Sequence, residues 1–296
     1  MFRGSIVAVA TPFKNGQVDE NKLRELVEFQ IKNGTSGIVP CGTTGESPTL
    51  TYEEHNRVVD ICVKAAGKRI PVIAGTGSNA TAEAVALTQH AAKAGADGCL
   101  VVTPYYNKPT QKGLYLHFKA VADSVKIPII LYNIESRAAR NIETETVARL
   151  ARDCRNIVGV KEASGNLQQV KDVRQACGDR FTILSGDDIL TLPIMELGGV
   201  GVISVVANIV PQDVAAMVLA FEAGNKQKAS DINDRLIPLI KAMFLETNPI
   251  PLKHAMGLLG MCSPELRLPL CAMEDANLEK LKAALHNYGL LKGQLV

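Results

Sequence analysis

Residues 157–163 read Ile-Val-Gly-Val-Lys-Glu-Ala, an apolar run rich in β-branched residues that carries one lysine near its end. Apolar residues in succession are typical of a strand that is covered on both faces, as in a parallel sheet. The chain contains seven further runs of this kind. They are Ile6–Phe13, Ser36–Gly42, Ile70–Gly77, Gly98–Tyr106, Ile127–Asn133, Phe181–Asp187 and Val200–Asn208.

The spacing of these runs predicts the fold class. Their last residues follow one another at intervals of 21 to 35 residues, and the segments between them have helical periodicity. A strand and a helix at this spacing form a βα unit, and such units build parallel sheets. Eight units predict an α/β protein with a (β/α)8 or TIM barrel. An open doubly wound sheet can also hold eight strands, so closure of the barrel is an inference.

Local signals predict where several helices begin and end. The apolar stripe of 19–33 stops at an Asn-Gly pair, Thr51 and Glu54 have capping-box spacing, and a segment from Thr81 runs to Gly95.

The 88 residues after the eighth run contain further helical stretches, at Pro211–Glu222, Lys226–Phe244 and roughly 277–288. No linker separates them from the rest of the chain. We therefore predict a barrel over 1–224 and a C-terminal helical appendage over 225–296, packed together as one structural unit.

Composition excludes several classes of protein. Hydrophobic residues make up 47% of the 296 residues, which is too many for a disordered chain. The net charge of +2 lacks the basic surplus of a nucleic-acid-binding protein. No apolar run approaches the ~18 residues of a membrane-spanning helix, and the N-terminus lacks the features of a signal peptide. We expect a cytoplasmic protein without nucleic-acid or membrane partners.

Cysteine and histidine positions indicate reduced thiols and no metal site. The seven cysteines are an odd number, widely spaced and without a Cys-x-x-Cys motif. No histidine pair has metal-ligand spacing, so we predict no zinc. His55, His90 and His117 lie in helical segments and are expected at the surface or at an interface.

Lys161 is the most informative polar residue. The active site of a (β/α)8 barrel lies at the C-terminal ends of its strands, and Lys161 occupies such an end in a strand predicted to be buried. Burial favours the neutral amine, a nucleophile that can form a Schiff base with a carbonyl substrate. The alternative is a structural ion pair with Glu162, although the alternation of a strand directs Glu162 toward the helices.

Hydroxyl groups surround the same predicted barrel mouth. Tyr132 ends the neighbouring strand, where its phenol could transfer protons or could simply be an interface tyrosine. Thr43, Thr44 and Tyr106 follow other strands, where their hydroxyls could relay protons and the Thr-Thr turn could present N–H groups to a carboxylate. The Gly-Thr-Thr-Gly motif alone indicates no more than a turn.

The segment 75–80 matches a dinucleotide fingerprint. The only acidic residue available for that role, Asp97, precedes the next strand rather than ending it, so nucleotide binding is not expected.

Together these motifs resemble those of the dihydrodipicolinate synthase family, in the pyruvate-dependent class I aldolase superfamily that includes N-acetylneuraminate lyase. The similarity extends over nearly the whole chain. The motifs that carry it are 4–8 with 11–13, 42–47, 71–82, 103–109, 132–133, 161–163, 184–188, 201–208 and 248–251.

The resemblance implies an enzyme that condenses pyruvate with aspartate semialdehyde in lysine and diaminopimelate biosynthesis. It implies no cofactor beyond a covalent imine between pyruvate and Lys161. The implied catalytic residues are Lys161, Tyr132 as proton donor and acceptor, and Thr43 with Tyr106 as a proton relay, Tyr106 coming from a neighbouring subunit. The implied substrate-binding residues are Thr44 and the Ile203 backbone for pyruvate, Arg137 for the carboxylate of the second substrate, and Gly186.

The resemblance also implies a homotetramer, built as a dimer of dimers, that L-lysine inhibits. The implied lysine site is a cleft at the tight-dimer interface. Its residues are Ser47, Tyr52, His55, Asn79, Glu83 and Tyr105.

The stretch 134–140 departs from the family pattern. Glu135 replaces a proline and Ala138 lacks the usual hydroxyl, whereas Arg137 is kept. The departure leaves open a sister aldolase that uses the same Schiff base on another aldehyde, of the keto-sugar-acid or hydroxy-oxoglutarate type. A catalytically silent barrel that senses an amino acid is a third hypothesis, which the presence of all four relay groups disfavours.

Overall fold

The computed structural model describes residues 2–291. Eight strands form one parallel sheet, in which the first barrel strand pairs with both the second and the last. The strands are β1 (Gly4–Ala8), β4 (Gly37–Val39), β5 (Ile73–Gly75), β6 (Gly98–Val102), β7 (Ile129–Asn133), β8 (Ile157–Glu162), β9 (Thr182–Ser185) and β10 (Gly201–Ser204). A two-stranded antiparallel hairpin of β2 (Phe13–Lys14) and β3 (Gln17–Val18) lies outside the sheet.

The sheet closes into a barrel between β4 and β5. Ile38 forms a parallel bridge with Val72, and the Gly75 amide donates to the Pro40 carbonyl at 2.9 Å. The closure leaves no free edge, so the predicted (β/α)8 barrel is confirmed.

Helices alternate with the strands and cover the outside of the barrel. They are α1 (Glu20–Lys32), α2 (Tyr52–Ala66), α3 (Thr81–Ala94), α4 (Gln111–Asp123), α5 (Glu135–Ala138), α6 (Thr144–Asp153), α7 (Leu167–Cys177), α8 (Thr191–Glu196), α9 (Pro211–Glu222), α10 (Lys226–Ala242), α11 (Ile250–Leu258) and α12 (Asp275–Tyr288). The predicted Thr51–Glu54 capping box opens α2, and Gly95 ends α3 in a left-handed conformation, as expected.

Two apolar layers follow from the alternation of the strands. Inward-facing residues such as Ile6, Leu100 and Ile203 fill the barrel with a small cluster, which Phe2 joins. Outward-facing residues such as Val7 belong to the larger cluster between the sheet and the helices. The interior is therefore packed, and a site is expected at the end that carries the loops after the strands.

The sequence interpretation missed two elements. The hairpin β2–β3 forms because Asn15 and Gly16 both take positive φ, which a tight two-residue turn requires. Helix α11 begins among prolines, at Pro249 and Pro251, that resemble helix breakers but are tolerated in a first helical turn.

The predicted boundary at residue 224 falls in the short turn between α9 and α10. Helix α10 packs against α9 and α12, and α11 packs against α12. The division into a barrel and an appendage that form one unit stays a prediction. All seven cysteines are free, and among residues 2–291 no helix is long and apolar enough to cross a membrane.

Candidate active site

Lys161 lies inside the barrel, in register with Tyr132 on one side and Leu184 on the other. Only 6% of its surface is exposed, and its Nζ lies 4.1 Å from the centroid of the Tyr132 ring. The Lys161 side chain points inward because successive residues of a strand alternate between its two faces. Gly159 and Lys161 lie on the inner face, and Glu162 lies on the outer face.

The carboxylate of Glu162 points to the opposite side of the sheet. It accepts hydrogen bonds from the Ser164 amide at 2.7 Å and from the side chains of Asn133 and Gln169 at 3.2 Å. The carboxylate of Glu162 is thus hydrogen-bonded by donors on the outer face of the sheet. This geometry does not support the alternative of a structural ion pair with Lys161.

Tyr132 connects Lys161 with a cavity of about 260 Å3 at the barrel mouth. The cavity wall is mostly apolar, as in small-molecule sites. It combines residues from four strand ends with the short helix α5. The lining residues include Gly42, Thr43, Ser47, Gly77, Val102, Tyr105, Tyr132, Ile134, Arg137 and Ala138.

Thr43 and Thr44 form the turn at the end of β4. Thr43 lines the cavity, whereas Thr44 is buried and its Oγ1 accepts a hydrogen bond of 3.0 Å from Asn248 Nδ2. The Asn248 carbonyl in turn accepts from Arg137 Nη2 at 3.1 Å.

A second opening of about 520 Å3 lies beside the first and shares Ile134 and Arg137 with it. Gly186 lines this opening directly over Lys161. A Cβ atom on Gly186 would stand 3.0 Å from Lys161 Cε, so glycine leaves the room that the lysine side chain occupies. Ile203 is buried in the interior cluster, on the inner face of β10.

A third cavity, of about 350 Å3, has the residues predicted for a lysine site in its wall. Ser47, Tyr52, His55, Glu83 and Tyr105 all line it. The exception is Asn79, because its neighbour Ser78 occupies the wall while the Asn79 carbonyl accepts from Asn107 Nδ2 at 2.8 Å.

Two ionisable groups of this cavity are shifted by their surroundings. Hydrogen bonds from Ser78 and Tyr52 lower the pKa of the Glu83 carboxyl, so it is ionised at neutral pH. Burial lowers the pKa of His55, whose Nε2 donates to the Gly75 carbonyl at 2.8 Å. The cavity thus presents the ionised Glu83 carboxylate beside the imidazole of His55, and the exposed Glu53 also lines it.

Tyr106 stands apart from the other predicted site residues within one chain. Its side chain is 88% exposed, on a residue with φ of 72°. Its contribution to the site of a neighbouring subunit stays a prediction.

Two of the three histidines expected at the surface or at an interface do not lie at the surface. His55 and His117 are buried because α2 and α4 turn these faces toward the barrel, whereas His90 is partly exposed beside Asp60. The glycines of the 75–80 motif serve close packing: a Cβ on Gly75 or Gly77 would lie 2.3 Å from a backbone atom of a neighbouring segment.

Sequence reasoning missed three residues that hold the site together. Glu46 and Lys253 form an ion pair of 2.7 Å with neither side chain exposed, and Asn248 bridges Thr44 and Arg137. Glu46 and Asn248 lie within the motifs 42–47 and 248–251 of the resemblance, and the available signal for Lys253 was a lysine within the apolar stretch 250–256. Within residues 2–291 there is no group of three or more His, Cys, Asp or Glu that could hold a metal.

Comparisons with known proteins agree over nearly the full length. The model of the dihydrodipicolinate synthetase family matches residues 1–288. The 4-hydroxy-tetrahydrodipicolinate synthase of Syntrophus aciditrophicus is 61% identical, covering 98% of this chain and all of the relative.

Solved structures give the same result. Dihydrodipicolinate synthase from Aquifex aeolicus superposes with a TM-score of 0.97 at 54% identity, covering 98% of this chain and 99% of the other. The enzyme from Cyanidioschyzon merolae, solved with lysine bound, has a TM-score of 0.95 at 43% identity, with coverage of 98% and 99%. The chain belongs to the dihydrodipicolinate synthetase family.

Proposed function

We propose that this protein is a 4-hydroxy-tetrahydrodipicolinate synthase, a lyase that condenses pyruvate with aspartate 4-semialdehyde. The observation that carries the proposal is the Lys161 amine, buried inside the barrel 4.1 Å from the Tyr132 ring. An amine in an apolar interior beside a phenol combines a nucleophile with a proton-transfer group. The high identity to relatives of that name supports the same activity.

The chemistry proceeds through an imine on Lys161. Nζ attacks C2 of pyruvate and water leaves, which forms a C–N double bond. Loss of a C3 proton gives an enamine, whose carbon attacks the aldehyde of the second substrate. The amino group of that substrate then attacks the imine carbon, closes the ring and releases Lys161. The protonated imine accepts the electron pair, so the route needs no added cofactor.

The remaining residues supply protons and hold carboxylates. Tyr132 donates and accepts the protons of the carbinolamine step, with Thr43 and the Tyr106 of a neighbouring subunit as the relay. Thr44, Gly186 and Ile203 bind pyruvate, and the Arg137 guanidinium binds the carboxylate of the semialdehyde.

Trapping of the imine tests the proposal. Borohydride reduction in the presence of pyruvate is expected to add the mass of one reduced pyruvate, on the peptide that contains Lys161. Lys253 is an internal control because it is also buried but is paired with Glu46. A protein without an adduct, or with the adduct on another lysine, contradicts the assignment.

A second candidate is a sister aldolase that acts on another aldehyde. It is favoured by Glu135, which lies in the short helix α5 two residues before Arg137. The pyruvate adduct is expected under both candidates, so the discriminating measurement is kcat/KM for aspartate semialdehyde against keto-sugar-acid and hydroxy-oxoglutarate substrates. A preference for either of the latter overturns the first candidate.

L-Lysine is the proposed inhibitor, bound in the cavity lined by Ser47, His55, Glu83 and Tyr105. The ionised Glu83 suits an ammonium group, and the lysine-bound relative supports this ligand. The proposed assembly is a homotetramer, in which the exposed Tyr106 reaches a neighbouring subunit. Sedimentation with and without lysine tests the assembly.

A further inference from the structure

Asn248 lies between the two residues proposed to hold the substrates' carboxylates. The side-chain Nδ2 of Asn248 donates to Thr44 Oγ1 at 3.0 Å. The backbone carbonyl of Asn248 accepts from Arg137 Nη2 at 3.1 Å. The residue belongs to the segment before α11, outside the eight strand ends, and it is buried. A single residue therefore contacts both sides of the site.

The direction of the first hydrogen bond matters. Because the Asn248 amide donates, the Thr44 oxygen acts as acceptor and its own proton stays available for another partner. A hydroxyl in this state can donate to a carboxylate. If Asn248 did not supply a donor, the Thr44 hydroxyl would be free to rotate and satisfy itself elsewhere.

The position of Asn248 is fixed by the buried ion pair that follows it. Lys253 Nζ contacts Glu46 Oε1 at 2.7 Å and the Thr11 carbonyl at 3.0 Å. Glu46 stands two residues after Thr44 and also accepts from the Arg267 amide at 3.2 Å. The Glu46–Lys253 pair thereby joins the turn that carries Thr44 to α11, which follows Asn248.

The other end of the Asn248 side chain is unusual. Oδ1 is buried, and no residue of the described range 2–291 donates to it. A buried acceptor without a donor is costly and is rare in native structures. The hydrogen bond that the Asn248 side chain makes is therefore the one from Nδ2 to Thr44.

We propose that Asn248 is a positioning residue for the condensation, which orients the Thr44 hydroxyl toward the pyruvate carboxylate and holds Arg137 at the other side of the site. The inference rests on the proposed function. It predicts that Asn248 acts on binding of pyruvate through Thr44, not on the reactivity of Lys161.

A double-mutant cycle tests this dependence. Asn248→Ala is expected to raise the KM for pyruvate about tenfold, because an oriented hydrogen bond to a charged group is lost. The kcat should stay within about threefold of wild type, since Lys161 and Tyr132 are untouched. In a Thr44→Val background the same change should leave the KM for pyruvate unaltered, because the residue through which Asn248 acts is absent.

Two further variants keep the result interpretable. Asn248→Asp preserves the shape but has no amide N–H to donate, and it is expected to raise the same KM. Asn233→Ala is the matched control, since Asn233 in α10 also has a buried amide oxygen without a partner among residues 2–291. Its KM for both substrates should equal that of wild type.

The outcomes separate two failures. A wild-type protein that forms no pyruvate adduct overturns the proposed function and this inference together. If wild type forms the adduct, two results overturn the positioning role alone. One is that the effects of Asn248→Ala and Thr44→Val on the KM for pyruvate are additive. The other is that the Asn248 variants have the same KM values as Asn233→Ala. A fall in kcat and in the thermal midpoint, with KM unchanged, also contradicts it and assigns a structural role.

Discussion

The ring of Tyr132 lies 4.1 Å from the Lys161 amine, and its phenol is a group that can move a proton. Tyr132→Phe keeps the ring that lines the cavity and removes the hydroxyl, so kcat is expected to fall about 10²- to 10⁴-fold. Borohydride trapping at long incubation should still reach the extent seen for wild type. Steady-state kinetics and intact mass check both expectations.

Tyr115→Phe is the matched control for that variant. Tyr115 is also buried, but its hydroxyl donates to Asp153 at 3.0 Å on the outer side of the barrel. Its loss is expected to leave kcat unchanged. A Tyr132→Phe enzyme that retained wild-type kcat would remove the phenol from the mechanism.

Because His117 is buried, we expect the folded protein to lose stability in acid. Burial lowers its pKa to about 4, below the 6.5 of a free imidazole. Between these values the unfolded chain binds the proton and the folded chain does not, so this contribution is intact above about pH 6.5 and is lost as the pH falls toward 4. The loss is about 3 kcal/mol of unfolding free energy.

Urea unfolding of wild type and His117→Gln, at pH 7 and near pH 4.5, measures this effect. The difference in unfolding free energy between wild type and His117→Gln should be smaller near pH 4.5 than at pH 7. His286→Gln, in α12, is the control because the same change there affects a partly exposed side chain. An equal gap at both pH values would contradict the role of His117.

At the scale of elements, the Glu46–Lys253 pair joins the β4 turn to α11. Lys253→Met leaves the Glu46 carboxylate buried without its cationic partner, which is expected to lower the free energy of unfolding by about 3–5 kcal/mol. Glu46→Gln combined with Lys253→Met should recover much of that loss, since no charge remains buried. Urea midpoints of the single and double variants provide the comparison.

An exposed pair supplies the control for the buried one. Lys282→Met removes the partner of Glu279 on the surface of α12 and should change the midpoint little. A double variant no more stable than Lys253→Met would show that the cost comes from lost packing and not from the unpaired charge.

Helix α5 contains Glu135 and Ala138, the two positions at which the sequence is expected to depart from the family pattern. Glu135 occupies the first helical position, where proline is well tolerated. Glu135→Pro removes a carboxylate near Arg137, so the KM for aspartate semialdehyde should fall while that for pyruvate stays unchanged. Glu145→Gln, in the first turn of α6, serves as the charge control. If Glu135→Pro left the KM for aspartate semialdehyde unchanged, Glu135 would have no role in binding the second substrate.

At the scale of the whole molecule, two cavities share a wall. Ser47, Pro48, Gly77 and Tyr105 line both the barrel-mouth cavity and the proposed lysine cavity. A ligand in one therefore contacts residues that shape the other, which is a direct physical route for inhibition.

Glu83→Gln removes the ionised carboxyl of the lysine cavity. Because a charge-assisted hydrogen bond to the ligand ammonium is lost, the lysine concentration for half inhibition should rise at least about tenfold. The rate without lysine is the reference for each protein. Glu53→Gln, an exposed acid at the same cavity, should shift inhibition far less, and equal shifts would contradict a specific role for Glu83.

The sequence by itself determined the number and order of the barrel strands, the helix caps at Thr51 and Gly95, and the placement of Lys161 at a strand end. These features depend on periodicity and on neighbours within a few residues. The direction of Glu162 away from Lys161 followed from the same alternation.

Only the tertiary structure decided which distant residues meet. Glu46 and Lys253 are 207 positions apart, and Asn248 is 204 positions from Thr44. The burial of His55 and His117 likewise depends on how α2 and α4 pack against the sheet. No local pattern encodes such pairs, because their energy comes from excluding water between segments that meet only after the barrel has closed.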